Sequence, residues 1–198
     1  MKFCMFNDDI QGTAGVALVG LLGTVRAQGL PLSEFVNQKI VVVGAGSAGL
    51  GFFLIDKEVK KLKPHVLVGL SGVGGVFNEQ VLKAMQDSSS SSKPAIFAMS
   101  NPTNNAECTA ADAFKHAGDN IVFGSGSPFQ NVVLGNGKVG HVNQANNMYL
   151  FPGDWFGSSG FWCPSYSILL LLELNLFAYL HFPNQKAMKT AGLEEDIH

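Results

Sequence analysis

The chain has 198 residues, with 13 Lys and Arg against 15 Asp and Glu, for a net charge of −2. That near-neutral balance excludes the strongly basic surface that nucleic acid or an anionic membrane face requires, and the length suits one domain with a substantial core. Charged residues make up 14%, well below the roughly 25% of ordinary soluble domains, so the chain is expected to pack against something to stay in solution.

In chain order, residues 12–27 are small and apolar, with Val16, Val19, Leu22 and Val25, and predict a buried helix ended near Gln28-Gly-Leu-Pro31. Lys39-Ile-Val-Val-Val43 predicts a buried strand. Gly44, Gly46 and Gly49 follow as G-x-G-x-x-G, the turn that lets a backbone approach a dinucleotide pyrophosphate. Phe52-Phe-Leu-Ile55 reads as a short strand ending in Asp56, the kind of acid that holds a ribose hydroxyl. The order suits a nicotinamide-cofactor site, but the spacing is short. Asp56 lies seven residues past Gly49, where about twenty are expected. A parallel crossover takes about a dozen residues or more. The expectation is therefore that residues 52–55 continue as helix or loop, not as a parallel strand beside residues 39–43.

Further on, residues 58–63 are charged and could close a helix. Residues 64–70 predict a second buried strand, followed by the glycine-rich turn Ser71-Gly-Val-Gly-Gly75. Residues 78–85 predict a helix with Asn78 near its start. The serines at 88–92 read as a linker. Residues 95–99 predict a third strand that runs into Ser100-Asn-Pro-Thr103; residues 109–116 predict a helix and 120–123 a fourth strand. Strands alternating with helices predict an α/β fold with a parallel sheet. Ligands of such sheets sit at the carboxyl ends of the strands, where the glycine turns and the Asn-Pro loop fall.

From residue 154 the character changes. Residues 161–180 are apolar without helical or strand periodicity. They approach the length of a membrane span, about 20 residues. Glu173 and Asn175 near the middle, and Pro164, oppose insertion, so no span is expected and the segment should pack over the sheet or aggregate. The division expected is residues 1–153, a cofactor-binding unit, and residues 154–198, an unrelated apolar tail. Cys4, Cys108 and Cys163 have no close spacing and read as free thiols, and the five histidines show no metal-ligand spacing. No transit-peptide pattern is present at Met1.

Four motifs together resemble one family. They are Phe6-Asn-Asp-Asp-Ile-Gln-Gly-Thr-Ala14, the Gly44–Gly49 turn, Ser100-Asn-Pro-Thr-Asn-Asn-Ala-Glu-Cys108, and Gly124-Ser-Gly-Ser-Pro-Phe129 with Asn143-Gln-Ala-Asn-Asn-Met-Tyr-Leu-Phe-Pro-Gly153. A lone G-x-G-x-x-G would be weak, but the combination is specific. It resembles the cofactor-binding half of malic enzymes, and the plant mitochondrial NAD-dependent form in particular. The resemblance implies an incomplete Rossmann-like parallel sheet with flanking helices, a mitochondrial matrix location, and NAD-dependent oxidative decarboxylation of L-malate to pyruvate and CO2 with Mg²⁺ or Mn²⁺. It makes Asp9 a metal ligand with Asp8 beside it among the catalytic residues, Asn101 and Asn146 substrate-binding asparagines, and Thr13, Gly44, Ala45, Gly46, Ser47 and Asp56 cofactor contacts. Taken alone, the Asp pair reads equally as a helix cap or solvated turn, and each Asn as a turn residue.

The departures from the family pattern are as informative. A Glu-Asp metal pair, the acid and base and an arginine for malate would all precede Met1. Two internal segments look shortened, near residues 49–52 and 56–58. The isolated polypeptide is therefore expected to be inactive, with L-malate and full-length subunits of the enzyme as the partners the resemblance implies. The alternative is a non-catalytic truncated subunit or interaction fragment.

Overall fold

The runs Ile40–Val43, Val66–Gly69, Ala95–Ala98 and Val122–Ser125 become parallel strands β1 to β4; the first three are uninterrupted apolar runs, and β4 begins two residues later than the expected 120–123 and continues through Gly124 and Ser125. In the computed structural model, residues 12–44, 61–88, 93–135 and 137–150 are described. The helices are α1 (Thr13–Ala27), α2 (Glu79–Ser88) and α3 (Ala110–Ala117). Three further short strands follow β4: β5 (Val132–Val133), β6 (Val139–Gly140) and β7 (Val142–Gln144).

Five strands form one parallel sheet in the order β1-β2-β3-β4-β7. Side chains alternate between its faces, as a period of two requires. Val66, Val68, Ala95 and Phe97 point to one face and pack with Val16 of α1. Leu67, Ile96, Ala98 and Phe123 point to the other, where Val81, Leu82 and Met85 of α2 and Ala113 and Phe114 of α3 cover them. The result is an α/β sandwich of helices around a parallel sheet, the Rossmann-like class that the motifs imply.

Local chemistry explains the helix ends. Asn78 Oδ1 accepts from the backbone N–H groups of Gln80 (3.0 Å) and Val81 (3.1 Å), capping α2. Thr109 Oγ1 accepts from Asp112 N–H at 3.1 Å and caps α3. α1 has no side-chain cap, and Gly20 instead brings its backbone against the Phe97 ring.

Some sequence expectations need correction. β1 is only partly buried: Val43 is 2% exposed but Val42 is 56% exposed, because β1 ends the sheet among the described residues. The fifth strand β7 and the antiparallel pair β5–β6 were not expected. Residues 61–62 are helical, in line with the expected helix at 58–63, of which residues 58–60 lie outside the described set. Of the linker expected at 88–92, Ser88 is instead the last residue of α2, and residues 89–92, the expectation for residues 52–55 and the tail 154–198 lie outside the described set. Among the described residues, no helix is long and apolar enough to cross a membrane.

One feature at the start of the sheet makes stability depend on pH. His65 Nδ1 accepts from Lys39 N–H at 3.2 Å. Burial, and then the charge of Lys39, lower the His65 pKa below its ordinary value of 6.5. A histidine that resists protonation when folded stabilises the fold above the unfolded pKa, and that stability is lost as pH falls below it. Urea midpoints measured at pH 7 and pH 5.5 should therefore separate more for the native chain than for His65→Gln. Equal separations would remove His65 from the account.

Candidate functional site

The parallel arrangement turns the carboxyl ends of all five strands to one edge, and the sequence motifs sit on that edge. Gly44 follows β1, Ser71–Gly75 follows β2, Ser100-Asn101-Pro102 follows β3, Gly126-Ser127 follows β4, and Asn146 lies two residues past β7.

The turns pack backbone on backbone. Gly44 has φ +126°, and a Cβ there would collide with the Leu70 carbonyl. Gly74 similarly abuts the Asn104 carbonyl, and Gly126 the Met99 carbonyl. These glycines are what let adjacent strand ends close into a single ledge. Gly72 and Gly75 differ: both have positive φ and face open space. That leaves the second glycine turn bare on its outer side, as a backbone that meets a ligand must be.

Beneath this ledge lies a carboxylate that the sequence reasoning missed. Glu107 is 0% exposed. Its Oε1 accepts from Ser71 N–H (2.8 Å), Ser71 Oγ (2.8 Å) and Ser100 Oγ (2.5 Å), and its Oε2 from Ser100 N–H (3.3 Å). Ser100 Oγ in turn accepts from Gly72 N–H at 2.9 Å. The turns after β2 and β3 are therefore tied through one side chain. The neighbouring Cys108 is buried, and burial, then the charges of Asp112 and Glu107, push its thiol pKa far up. It is a packing residue rather than a nucleophile.

The two asparagines differ in how they are held. Asn146 is half-buried: its Nδ2 donates to the Gly126 carbonyl at 2.8 Å and its Oδ1 accepts from Met148 N–H at 2.9 Å. Asn101 is exposed, with a cis peptide to Pro102, and its side chain has no hydrogen bond among the described residues. β4 separates the strands that carry them. At the usual spacing between strands, β3 and β7 themselves lie about 10 Å apart. Thr13 opens α1 and is half-buried.

The structure thus brings Gly44, Asn101 and Asn146 to one edge. Asp8, Asp9, Ala45, Gly46, Ser47 and Asp56 lie outside the described residues. No group of three His, Cys, Asp or Glu able to hold a metal occurs among the described residues.

Comparison with known proteins follows the same residues. The family model described as malic enzyme, NAD binding domain, matches residues 10–55 and 53–159. The chain is 61% identical to NAD-dependent malic enzyme 2, mitochondrial, of Arabidopsis thaliana, over 79% of this chain and 35% of that protein. It is 58% identical to the 59 kDa isoform of mitochondrial NAD-dependent malic enzyme of Solanum tuberosum, over 79% of this chain and 36% of that protein. Identity to the NADP-dependent malic enzyme of Rattus norvegicus is 35%, again over 79% of this chain. The chain thus spans about a third of the length of the curated relatives it matches. The first alignment runs over 213 positions, whereas 79% of 198 residues is about 156. About 57 positions of the relative therefore have no counterpart inside the matched span. The family match also divides at residues 53–55, within the stretch where the crossover is short.

Proposed function

The chain belongs to the malic enzyme family, and from that premise we propose that it is the cofactor-binding part of a mitochondrial NAD-dependent malic enzyme, with a shortened first crossover. The whole enzyme's reaction is oxidative decarboxylation of L-malate to pyruvate and CO2. NAD would supply the hydride acceptor, and Thr13, Gly44, Ala45, Gly46 and Ser47 would hold it, while Asp56, the ribose contact that the resemblance implies, would be kept from the ribose by the short crossover. Asn101 and Asn146 would donate amide hydrogen bonds to the malate carboxylates, which neutral amides do without a counter-charge. The observation that carries this reading is the gathering of Gly44, Asn101 and Asn146 on the carboxyl edge of one parallel sheet.

For the divalent metal, Asp9 would be a ligand with Asp8 beside it. A single carboxylate leaves Mg²⁺ mostly hydrated. Among the described residues, no group of three His, Cys, Asp or Glu could hold a metal.

The second reading is a non-catalytic subunit that docks on full-length partners. It is favoured by the missing internal positions, and co-purification with full-length subunits tests it.

Titration of NADH and NADPH followed by nucleotide fluorescence tests the cofactor reading. A strand-to-helix glycine turn offers N–H groups to phosphate whatever residue 56 does. Binding should therefore be weak, alike for both dinucleotides, and unchanged in Asp56→Ala. Absence of binding to either would sink the cofactor reading. A micromolar NAD-selective site lost in Asp56→Ala would show that the short crossover still delivers Asp56 to the ribose.

A further inference from the structure

A carboxylate with no solvent exposure needs a reason. Removing it from water is costly unless its oxygens are fully hydrogen-bonded. Glu107 meets that condition with neutral donors alone: among the described residues it has no ion pair, and its partners are the N–H and hydroxyl groups of Ser71 and Ser100. The chain makes room for it. A Cβ on Gly69 would lie 2.5 Å from Glu107 Cδ, so any larger residue at that point of β2 would displace the Glu107 side chain.

The donors are not scattered. Both serines are the first residues of the turns that leave β2 and β3 at the site edge. The backbone around the carboxylate reinforces the tie: Phe77 N–H donates to the Glu107 carbonyl at 2.9 Å, and Gly75 N–H to the Ala106 carbonyl at 3.1 Å. Segments 71–77 and 100–107 are thereby laced into one unit. Asn101, which directly follows Ser100, has an exposed side chain with no partner of its own among the described residues. Its backbone is held from behind, by Ser100 on Glu107, and from ahead, by the short turn Thr103–Asn105. An apolar residue at 107 could fill the space, but it could not accept from two serines and two amides at once.

We propose that Glu107 is a positioning residue: it locks the glycine turn 71–75 and Asn101 into one rigid ledge that the ligands of this edge meet. The proposal rests on the cofactor and substrate reading given above for what those ligands are.

Glu107→Gln tests it with little change of shape. An amide has one accepting oxygen and one donating NH2, so whichever way it turns, an N–H group faces an N–H donor of Ser71 or Ser100. Amide exchange of the whole 198-residue chain, followed by NMR, should then rise at Ser71, Gly72 and Ser100 by about tenfold or more, as local opening does, while Val68 and Phe97 in the strands stay unchanged. NADH affinity should fall by a similar factor. Ser71→Ala, which removes one hydroxyl donor and keeps the amide, should give a smaller change in the same direction, and it serves if the Gln variant does not fold. Unchanged exchange at the three amides, or an equal rise throughout the sheet, overturns the proposal. So does NADH affinity that stays the same while the three amides open. If the native chain binds no NADH yet the three amides open selectively, the lock stands and the cofactor reading fails.

Discussion

Given L-malate, NAD and Mn²⁺, a polypeptide of these 198 residues should produce no NADH above the rate without protein. The argument is one of missing groups rather than of a damaged fold. The family resemblance puts the acid, the base, the malate-holding arginine and two of three metal carboxylates on positions with no counterpart among these residues. General acid–base catalysis alone is typically worth roughly 10²–10⁴-fold. A metal on the reacting oxygen contributes several kcal/mol more, and each ~1.4 kcal/mol is another factor of ten. What remains on the described edge is Asn101 and Asn146, which can bind and orient but cannot move a proton at neutral pH. The shortened span is expected to weaken any binding as well, since about 57 aligned positions of the Arabidopsis relative have no counterpart here. Malate-dependent NADH production that disappears in Asp9→Ala would reverse this expectation, and would mean that ligands and a base are drawn from residues not yet identified.

The sequence carried the sheet further than it carried the site. β1 to β3 were legible because each is an unbroken apolar run between turn residues, the signature of a strand covered on both faces, and β4 from the apolar residues Ile121 to Phe123 at its start. α2 was legible from its cap, Asn78, and α3 from the run 109–116, whose first residue, Thr109, caps it in the structure. β7 was not: Val142-Asn-Gln144 is one apolar residue followed by two polar ones, and it had been read only for its asparagines. The β5–β6 pair was missed because two-residue strands have no periodicity, although Asn136-Gly137 between Val133 and Val139 is a hairpin signal that could have found it. Glu107 was hidden for a different reason. Nothing local to Ala106-Glu-Cys108 says that the acid is buried, because its partners lie 7 and 36 residues away. What could have raised the question is an acid between two small residues of a kind usually buried. β1 was misjudged in one respect: an apolar run predicts cover on both faces, but Val42 has it only if a further element lies alongside.

Gly126→Ala should cost the fold about 3 kcal/mol, combining overpacking of about 1–3 kcal/mol with a lost hydrogen bond of about 1 kcal/mol. Gly126 is buried at the end of β4, and an added Cβ would strike the Met99 carbonyl, which is backbone and has no rotamer to escape into. The strand ends of β3 and β4 must therefore part. One hydrogen bond directly opposes this, Gly126 N–H to the Ala98 carbonyl at 2.9 Å, and a second, Asn146 Nδ2 to the Gly126 carbonyl at 2.8 Å, ties the moving β4 end to the segment after β7. Because the second holds Asn146 in place, the substitution should disturb the site edge as well as the core. Urea unfolding should show a lower midpoint with an unchanged slope, the sign of lost stability rather than a changed unfolded state. In the NMR spectrum of the folded variant, the Asn146 side-chain amide should shift while the amide protons of α2, on the far side of β2 and β3, should not. Gly135→Ala is the control: its Cβ meets nothing within 4 Å, so the same methyl group there should leave both midpoint and spectrum nearly unchanged. Equal effects at the two glycines would mean that crowding at Met99 is not what holds residue 126 to glycine.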